Sequence, residues 1–298
     1  MVRPASFGFN AETAANNVFQ STPETLSATE VQQKAVQEFD AFVTTLRKKK
    51  IDVLVYQDTE KPVKPDAVFP NNWFATFSNG KVVVFPMFAE NRRIEKSDSL
   101  LKELGDHFII RDVEDWSEYE AEHFFLEGTG SMIIDHENRI IYACLSPRTH
   151  KATLDRFALT HGYKVLSFYA KDENDVEVYH TNVIMHIGEG YAVVCLESIK
   201  DEAERIAVSQ LLITTGHEVI PISLAQVHAY AGNMLQVTNA AGEKYTILSK
   251  QAYQSLTKEQ KTILQIHTNL LPIDINTIET IGGGSVRCMM AEVFLEKR

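Results

Sequence analysis

A polar residue recurs at almost constant spacing inside apolar stretches of this 298-residue chain, and that recurrence limits what it can fold into. The stretches are "VFPNNWFATFSNGKVVVFP" from Val68, "FFLEGTGSMIIDHENRIIYACLS" from Phe124, "VYHTNVIMHIGEGYAVVCLES" from Val178, "YAGNMLQVTNAAGEKYTILSK" from Tyr230 and "GGGSVRCMMAEVFL" from Gly282. Stacked, they bring Asn72, Glu127, Asn182, Asn233 and Cys288 to one position, at steps of 55, 55, 51 and 55 residues. The first four each read as an apolar strand, a polar turn with Gly or Asn, and a second apolar strand, the pattern of a β-hairpin. Periods of this length mark repeat architectures.

Between the hairpins, "RRIEKSDSLLKEL", "PRTHKATLDRFALTHG", "SIKDEAERIAVSQLLITTG" and "SKQAYQSLTKEQ" carry apolar residues at helical spacing. "HFIIRDV", "YKVLSFY", "HEVIPISL" and "ILQIHTNLLPI" then read as third strands. "MVRPASF", a long helix from about Ser27 to Lys50 and "IDVLVYQ" supply the opening module. Each module is thus ββαβ, and the repeated polar residue is expected within an apolar strand. Buried Asn and Glu are costly without partners. Five modules that close into a ring would point these residues into one shared polar cavity, and a single domain spanning 1–298 is expected, since no linker is visible. The competing reading makes them separate, internally satisfied core residues.

Composition excludes several classes. A formal charge of −11 argues against a broad nucleic-acid or acidic-membrane surface, which needs clustered Lys and Arg. The basic run Arg47–Lys50 reads as a solvated helix end, where cations suit the helix dipole. No apolar run approaches the roughly 20 residues of a membrane span, and "MVRPASFGFN" lacks a secretion h-region, so a cytoplasmic protein is expected. Cys144, Cys195 and Cys288 contain no C-x-x-C pair and read as reduced thiols, and scattered His and Asp show no metal-ligand spacing. "IGGGS" has no helix predicted after it, so it lacks the context of a nucleotide loop. No metal and no cofactor are expected. The oligomeric state stays open, a homo-oligomer included.

With Glu in the second hairpin, His in the third and Cys in the last strand, this pseudo-fivefold ring resembles the pentein superfamily of guanidine-modifying enzymes, which includes arginine deiminase, dimethylarginine dimethylaminohydrolase, the amidinotransferases and succinylarginine dihydrolase. "FLEGTG", "YHTN" and "VRCMMAEVFL" occupy the places of the family's Glu, His and nucleophile segments, and "CLSPRTH" is similar to the Leu-Ser-x-Arg-Thr segment of the dimethylarginine enzymes. "RPASFGFNAETAANNVFQ" resembles a bacterial branch of citrulline-utilisation hydrolases. The resemblance implies an α/β, five-bladed propeller of ββαβ modules around a central polar cavity, acting on a small amino-acid substrate.

It also implies roles. Cys288 would be the nucleophile, His180 the proton carrier, and Glu127 the acceptor that orients substrate N–H groups. His186, six residues on along the same predicted strand, shares a face with His180, and spacing alone does not choose between them. Arg148 would grip an α-carboxylate, with Arg93 a second candidate. Asn17, with Asn10 and Asn16, would line the cavity mouth or cap the chain before the first helix. Asn233 completes the polar ring. The loop "DTEKPVKPDAVFPNN" is a candidate gate. Arginine deiminases carry aspartates where this chain has Asn72 and Asn182. An amide can donate to a urea oxygen, whereas an ionised carboxylate only accepts. The expectation is therefore cleavage of citrulline to ornithine, carbon dioxide and ammonia through a covalent S-adduct. The alternatives are a guanidine-directed deiminase or dimethylarginine-type hydrolase, and a non-catalytic binding protein of the same fold.

Overall fold

The computed structural model describes residues 1–22 and 26–298. The chain opens with β1 (Val2–Arg3), which pairs in parallel with β2 (Tyr56–Gln57) across the helix Ala28–Lys48. That helix starts at a capping box between Ser27 and Glu30. Its apolar residues Val31, Ala35, Phe39, Phe42, Val43 and Leu46 fall at the spacing of one helical face, and that face is buried.

Four blades follow one plan. The hairpin β3 (Phe74–Thr76) and β4 (Lys81–Val84) is antiparallel, and β4 then pairs in parallel with β5 (Asp112–Asp115). The same order joins β6 (Ile133–Asp135), β7 (Ile140–Cys144) and β8 (Lys164–Phe168), and next β9 (Met185–Gly188), β10 (Tyr191–Val194) and β11 (Glu218–Pro221). The last blade holds β12 (Leu235–Thr238), β13 (Lys244–Ser249) and β14 (Asn269–Ile273). Each parallel pair needs a long crossover, which the intervening helices provide. Positive φ at Gly80, Arg139, Gly190 and Gly242 closes the hairpin turns. β9 lies against both β6 and β12, so successive blades are neighbours in space.

The recurring polar residues do not sit within strands. Asn72 ends the 3-10 helix Pro70–Asn72, Glu127 caps the helical turn Gly128–Ser131, and Asn182 lies in the turn Thr181–Ile184. Each turn immediately precedes its hairpin, so the Asn or Glu is set by the turn and not by the two-residue alternation of a strand. Cys288 likewise occupies a tight turn, its amide donating to Ser285 O at 3.0 Å, and not a strand. The reading of "ILQIHTNLLPI" as a strand is also corrected. Residues through His267 continue the helix Lys258–His267, capped at Thr257, and only Asn269–Ile273 pairs.

The fifth unit is incomplete as a sheet, with β1 and β2 alone. After Cys288 the chain crosses to the first blade instead, where Phe294 N donates to Thr76 Oγ1 at 2.8 Å and Ile109 N to Glu296 O at 2.8 Å. A cavity of about 550 Å³, lined mainly by Leu46, Leu54, Phe74, Leu104, Leu235 and Met290, lies beside this crossing and does not include Cys288. Among the described residues, no helix is long and apolar enough to cross a membrane.

Candidate active site

Close backbone approach makes the convergence possible. A Cβ on Gly130 would stand 2.5 Å from Asn72 Nδ2 and 2.8 Å from the His180 ring, and one on Gly232 would stand 2.2 Å from Val183 O. Only glycine lets the helical turns touch.

At the meeting point, Cys288 Sγ lies 3.4 Å from Asn182 Nδ2 and 3.4 Å from Asn233 Nδ2. Asn233 is fixed at both ends of its amide, donating to Asn182 O at 3.0 Å and accepting from Arg287 N at 3.0 Å. Two N–H groups aimed at the sulfur suit negative charge on it. The Arg287 guanidinium serves elsewhere, on Met290 O and Glu292. Cys144 and Cys195 are fully buried, and burial pushes their thiols up to about 12 and about 11, which leaves them inert beside Cys288.

Glu127 and His180 form a buried pair, Nε2 to Oε2, at 2.8 Å. Burial alone would push the Glu127 carboxyl up. The Arg148 charge 3.5 Å away, the His180 hydrogen bond and the charge of Arg92 outweigh it and hold Glu127 at about 2. Burial lowers His180 to about 4 despite Glu127. The resting imidazole is therefore neutral, with Nε2–H donating to Glu127 and Nδ1 an acceptor. His186 is placed apart, bonded through Nε2 to Tyr191 Oη at 3.0 Å, since the turn Thr181–Ile184 breaks the strand that would have aligned it with His180.

Arg92, not Arg93, reaches the cavity. Arg92 Nη1 donates to Asn72 Oδ1 at 2.8 Å and its other nitrogens to Glu95 at 2.9 and 2.8 Å. The next side chain along a helical turn points away, so Arg93 is half-buried against Met87 O and the Phe125 ring. A guanidinium only donates, so the Asn72 atom facing Arg92 must be oxygen, and its Nδ2 faces inward. That Nδ2 is buried and unpartnered, as is Asn182 Oδ1.

The remaining cavity, about 20 Å³, is lined by Asn72, Arg92, His180 and Cys288 with Thr13, Asn17, Asp66, Tyr179, Arg148 and the glycines 282–284. Arg148 stacks on the Tyr179 ring at 4.7 Å, while its fork is occupied by Asn16 Oδ1 and Thr13 O. Asn17 Nδ2 donates to Gly283 O at 3.2 Å. Asn10 donates to Asp66 Oδ2 at 2.7 Å, Thr13 to the same oxygen at 3.1 Å, and Asp66 Oδ1 has no partner. Burial raises the Asp66 carboxyl, opposed by Arg92. Asp66, Arg92, Thr13 and Tyr179 escaped the sequence reading. Asp66 had a signal, lying in the loop six residues before Asn72, whereas nothing local distinguishes Arg92 from Arg93. No group of three or more His, Cys, Asp or Glu among the described residues is arranged to hold a metal ion.

The blade plan is that of the penteins, the guanidino-modifying α/β superfamily. The structure superposes on a cysteine-to-serine variant of the N-terminal domain of ArgZ bound to substrate, an arginine dihydrolase from the ornithine-ammonia cycle in cyanobacteria, with a TM-score of 0.74 and 16% identity over 99% of this chain and 98% of that one. An AgrE variant with L-arginine gives 0.72 and 18% over 97% of this chain, which spans 39% of that protein, and a dimethylarginine dimethylaminohydrolase adduct with 4-chloro-2-hydroxymethylpyridine gives 0.63 and 15% over 97% and 96%. A family model described as "N,N dimethylarginine dimethylhydrolase, eukaryotic" matches residues 3–295, and the chain belongs to that family. No curated protein matches it in sequence.

Proposed function

We propose that the chain is a single-domain cysteine hydrolase that cleaves the C–N bond of a ureido amino acid, citrulline first among them. The observation that carries this is the orientation of Asn72. Arg92 fixes its oxygen outward, leaving an unpartnered N–H donor in the cavity, with Asn182 Oδ1 an unpartnered acceptor nearby. A ureido group has an oxygen for the donor and N–H groups for the acceptor. A guanidinium has donors only and would leave Asn72 Nδ2 buried and unsatisfied, at a cost of about 1–3 kcal/mol.

In this reading His180 Nδ1 takes the Cys288 proton and the sulfur attacks the ureido carbon. Charge moves onto the ureido oxygen, where the Asn72 N–H stabilises it. Collapse breaks the bond to the δ-amine, which takes the proton from His180, and ornithine leaves. Water, deprotonated by His180, then attacks the S-carbamoyl carbon. Cys288 is regenerated and carbamate departs, decomposing to carbon dioxide and ammonia. Glu127 stabilises the transient imidazolium. Arg148 receives the α-carboxylate once Asn16 and Thr13 release its fork, and Asp66 Oδ1 accepts from the α-ammonium. Because Asn16 Oδ1 and Thr13 O occupy the Arg148 fork, this reading requires the segment carrying them to move when substrate binds. An ArgZ variant covalently bound to a reaction intermediate supports the covalent step by likeness of fold.

A second reading, hydrolysis of arginine or a methylated arginine, draws on the family match and on the carboxylates Glu127 and Asp66 beside the cavity. Incubation with citrulline and separately with arginine, following ammonia and amino-acid products, decides between them. Ornithine from citrulline, absent in Cys288→Ala, is the expected result. A strong preference for arginine overturns the first reading in favour of the second.

A further inference from the structure

We propose that Glu279 is a positioning residue which, through Ser285, holds the glycine-rich loop in the geometry that presents Cys288; this rests on the reading of Cys288 as the nucleophile. The helix Asn276–Gly282 ends in Gly283 at φ +64, followed by Gly284. Side chains are barred at two of these glycines. A Cβ on Gly282 or Gly284 would stand 2.8 Å from the Phe69 ring. The loop therefore has no side-chain anchor of its own across three glycines, whose backbone is the most freely rotating in the chain.

Asn17 Nδ2 and Tyr179 Oη hold Gly283 O from outside at 3.2 and 3.1 Å, and Ser285 is the first residue of the loop whose own side chain can pin it. Its Oγ donates to Glu279 Oε1 at 2.6 Å, reaching back to the helix, and its carbonyl accepts from Cys288 N at 3.0 Å. Glu279 is itself tied down, its carbonyl accepting from Tyr230 Oη at 2.8 Å and from Gly283 N at 2.9 Å. Helix, loop and nucleophile turn are so linked by hydrogen bonds through one buried carboxyl, and neither Glu279 nor Ser285 lines the Cys288 cavity.

The charged and polar groups around Glu279 come from several elements. Glu38, on the helix Ala28–Lys48, accepts from the amides of Thr277 and Ile278, and Asp274 is paired with Lys250. Ser249 and Tyr230 face it from β13 and from the segment before β12. Among the described residues no cation offsets it. Burial holds its carboxyl up at about 7, against the hydrogen bonds of Ser249 and Ser285. The ionised form accepts the Ser285 hydroxyl more strongly than the protonated form, so the loop is held more firmly as the pH rises through neutrality.

The experiment compares the parent with Glu279→Gln, Glu279→Ala and Ser285→Ala, each checked for cooperative thermal unfolding. Iodoacetamide alkylation is followed on the Cys288 peptide by mass spectrometry across the neutral pH range, together with kcat and KM on whichever of citrulline and arginine the parent consumes. Both Ala variants are expected to lose roughly 10- to 100-fold in kcat, the scale of a misplaced reacting group, with KM far less changed and Cys288 alkylated more slowly. Glu279→Gln keeps an acceptor for Ser285. It should stay within a few-fold of the parent while losing the part of the alkylation rise centred near neutral pH. Parental kcat and alkylation in folded Ala variants overturn the proposal, as does a Gln variant as impaired as the Ala one. If Glu279→Ala does not fold, parental kcat in Ser285→Ala or a parental pH profile in Glu279→Gln overturns it. Alkylation uses no substrate, so these outcomes stand apart from failure of the nucleophile reading, which would show as turnover surviving in Cys288→Ala.

Discussion

At Asn182 one atom decides the charge beside the proposed nucleophile. Asn182→Asp would set a carboxylate about where Nδ2 now stands, 3.4 Å from Cys288 Sγ. Two unit charges at such a distance interact by about 5 kcal/mol at an effective dielectric near 20, which far exceeds the loss of one weak N–H···S contact. Iodoacetamide alkylation of Cys288 at neutral pH is therefore expected to slow by at least ~10-fold, and turnover of arginine relative to citrulline to rise, since a cationic substrate offsets the new charge. Unchanged alkylation and an unchanged substrate ratio would sink the amide argument. The histidines yield a second expectation. Burial holds His180 at about 4 and His186 at about 3, whereas the unfolded chain takes up their protons near 6.5. The unfolded state binds more protons below that pH, so stability falls as the pH drops from about 6.5 toward 4 and is insensitive to these groups above it. Urea midpoints measured across this window test the sign, and His186→Gln should flatten the slope without touching the cavity.

At the scale of elements, the short helical turns before each hairpin carry the site. The turn Gly128–Ser131 aims Glu127 at His180 and brings its backbone against Asn72, and Gly130 is the glycine that faces Asn72 Nδ2 and the His180 ring. In Gly130→Ala the new methyl must displace Asn72 Nδ2 or the His180 ring. Overpacking of this kind costs about 1–3 kcal/mol, which a folded domain tolerates, whereas the displaced groups are those proposed to do the chemistry. A kcat lowered by about 100-fold with only a modest shift in the melting temperature is expected. A loss of stability with parental kcat in the folded fraction would count against the placement of Asn72 and His180 at the reacting atoms.

For the whole molecule, closure depends on the C-terminal crossing to the first blade. Two kinds of contact hold it. Lys297 pairs with Asp52 at the surface, worth about 0–1 kcal/mol. Leu295 is buried beside Trp73, Phe74, Val84 and Met87, and truncating such a side chain costs about 2–5 kcal/mol. Leu295→Ala should therefore lower the denaturant midpoint clearly while Lys297→Ala barely moves it, and equal effects would show that burial is not what closes the ring. The crossing is also where regular blade geometry gives way, because residues after Cys288 bond to Thr76 rather than extend the sheet of β1 and β2.

The residues alone carried the period of the polar positions, the hairpins with their Gly and Asn turns, and the apolar faces of the longer helices, because each depends on side-chain order over a few residues. They also carried the distinction of Cys288 from Cys144 and Cys195, which lie off the repeated position. Tertiary structure decided what depends on direction. Nothing in "NRRIE" says that Arg92 turns inward and Arg93 outward, nor in "YHTNVIMH" that a helical turn separates His180 from His186. The orientation of Asn72 required Arg92, twenty residues on, and the state of Glu127 required Arg148 and His180 from two other segments. Local pattern names the groups that reach the axis; only packing sets which atom of each faces the cavity and what charge it bears there.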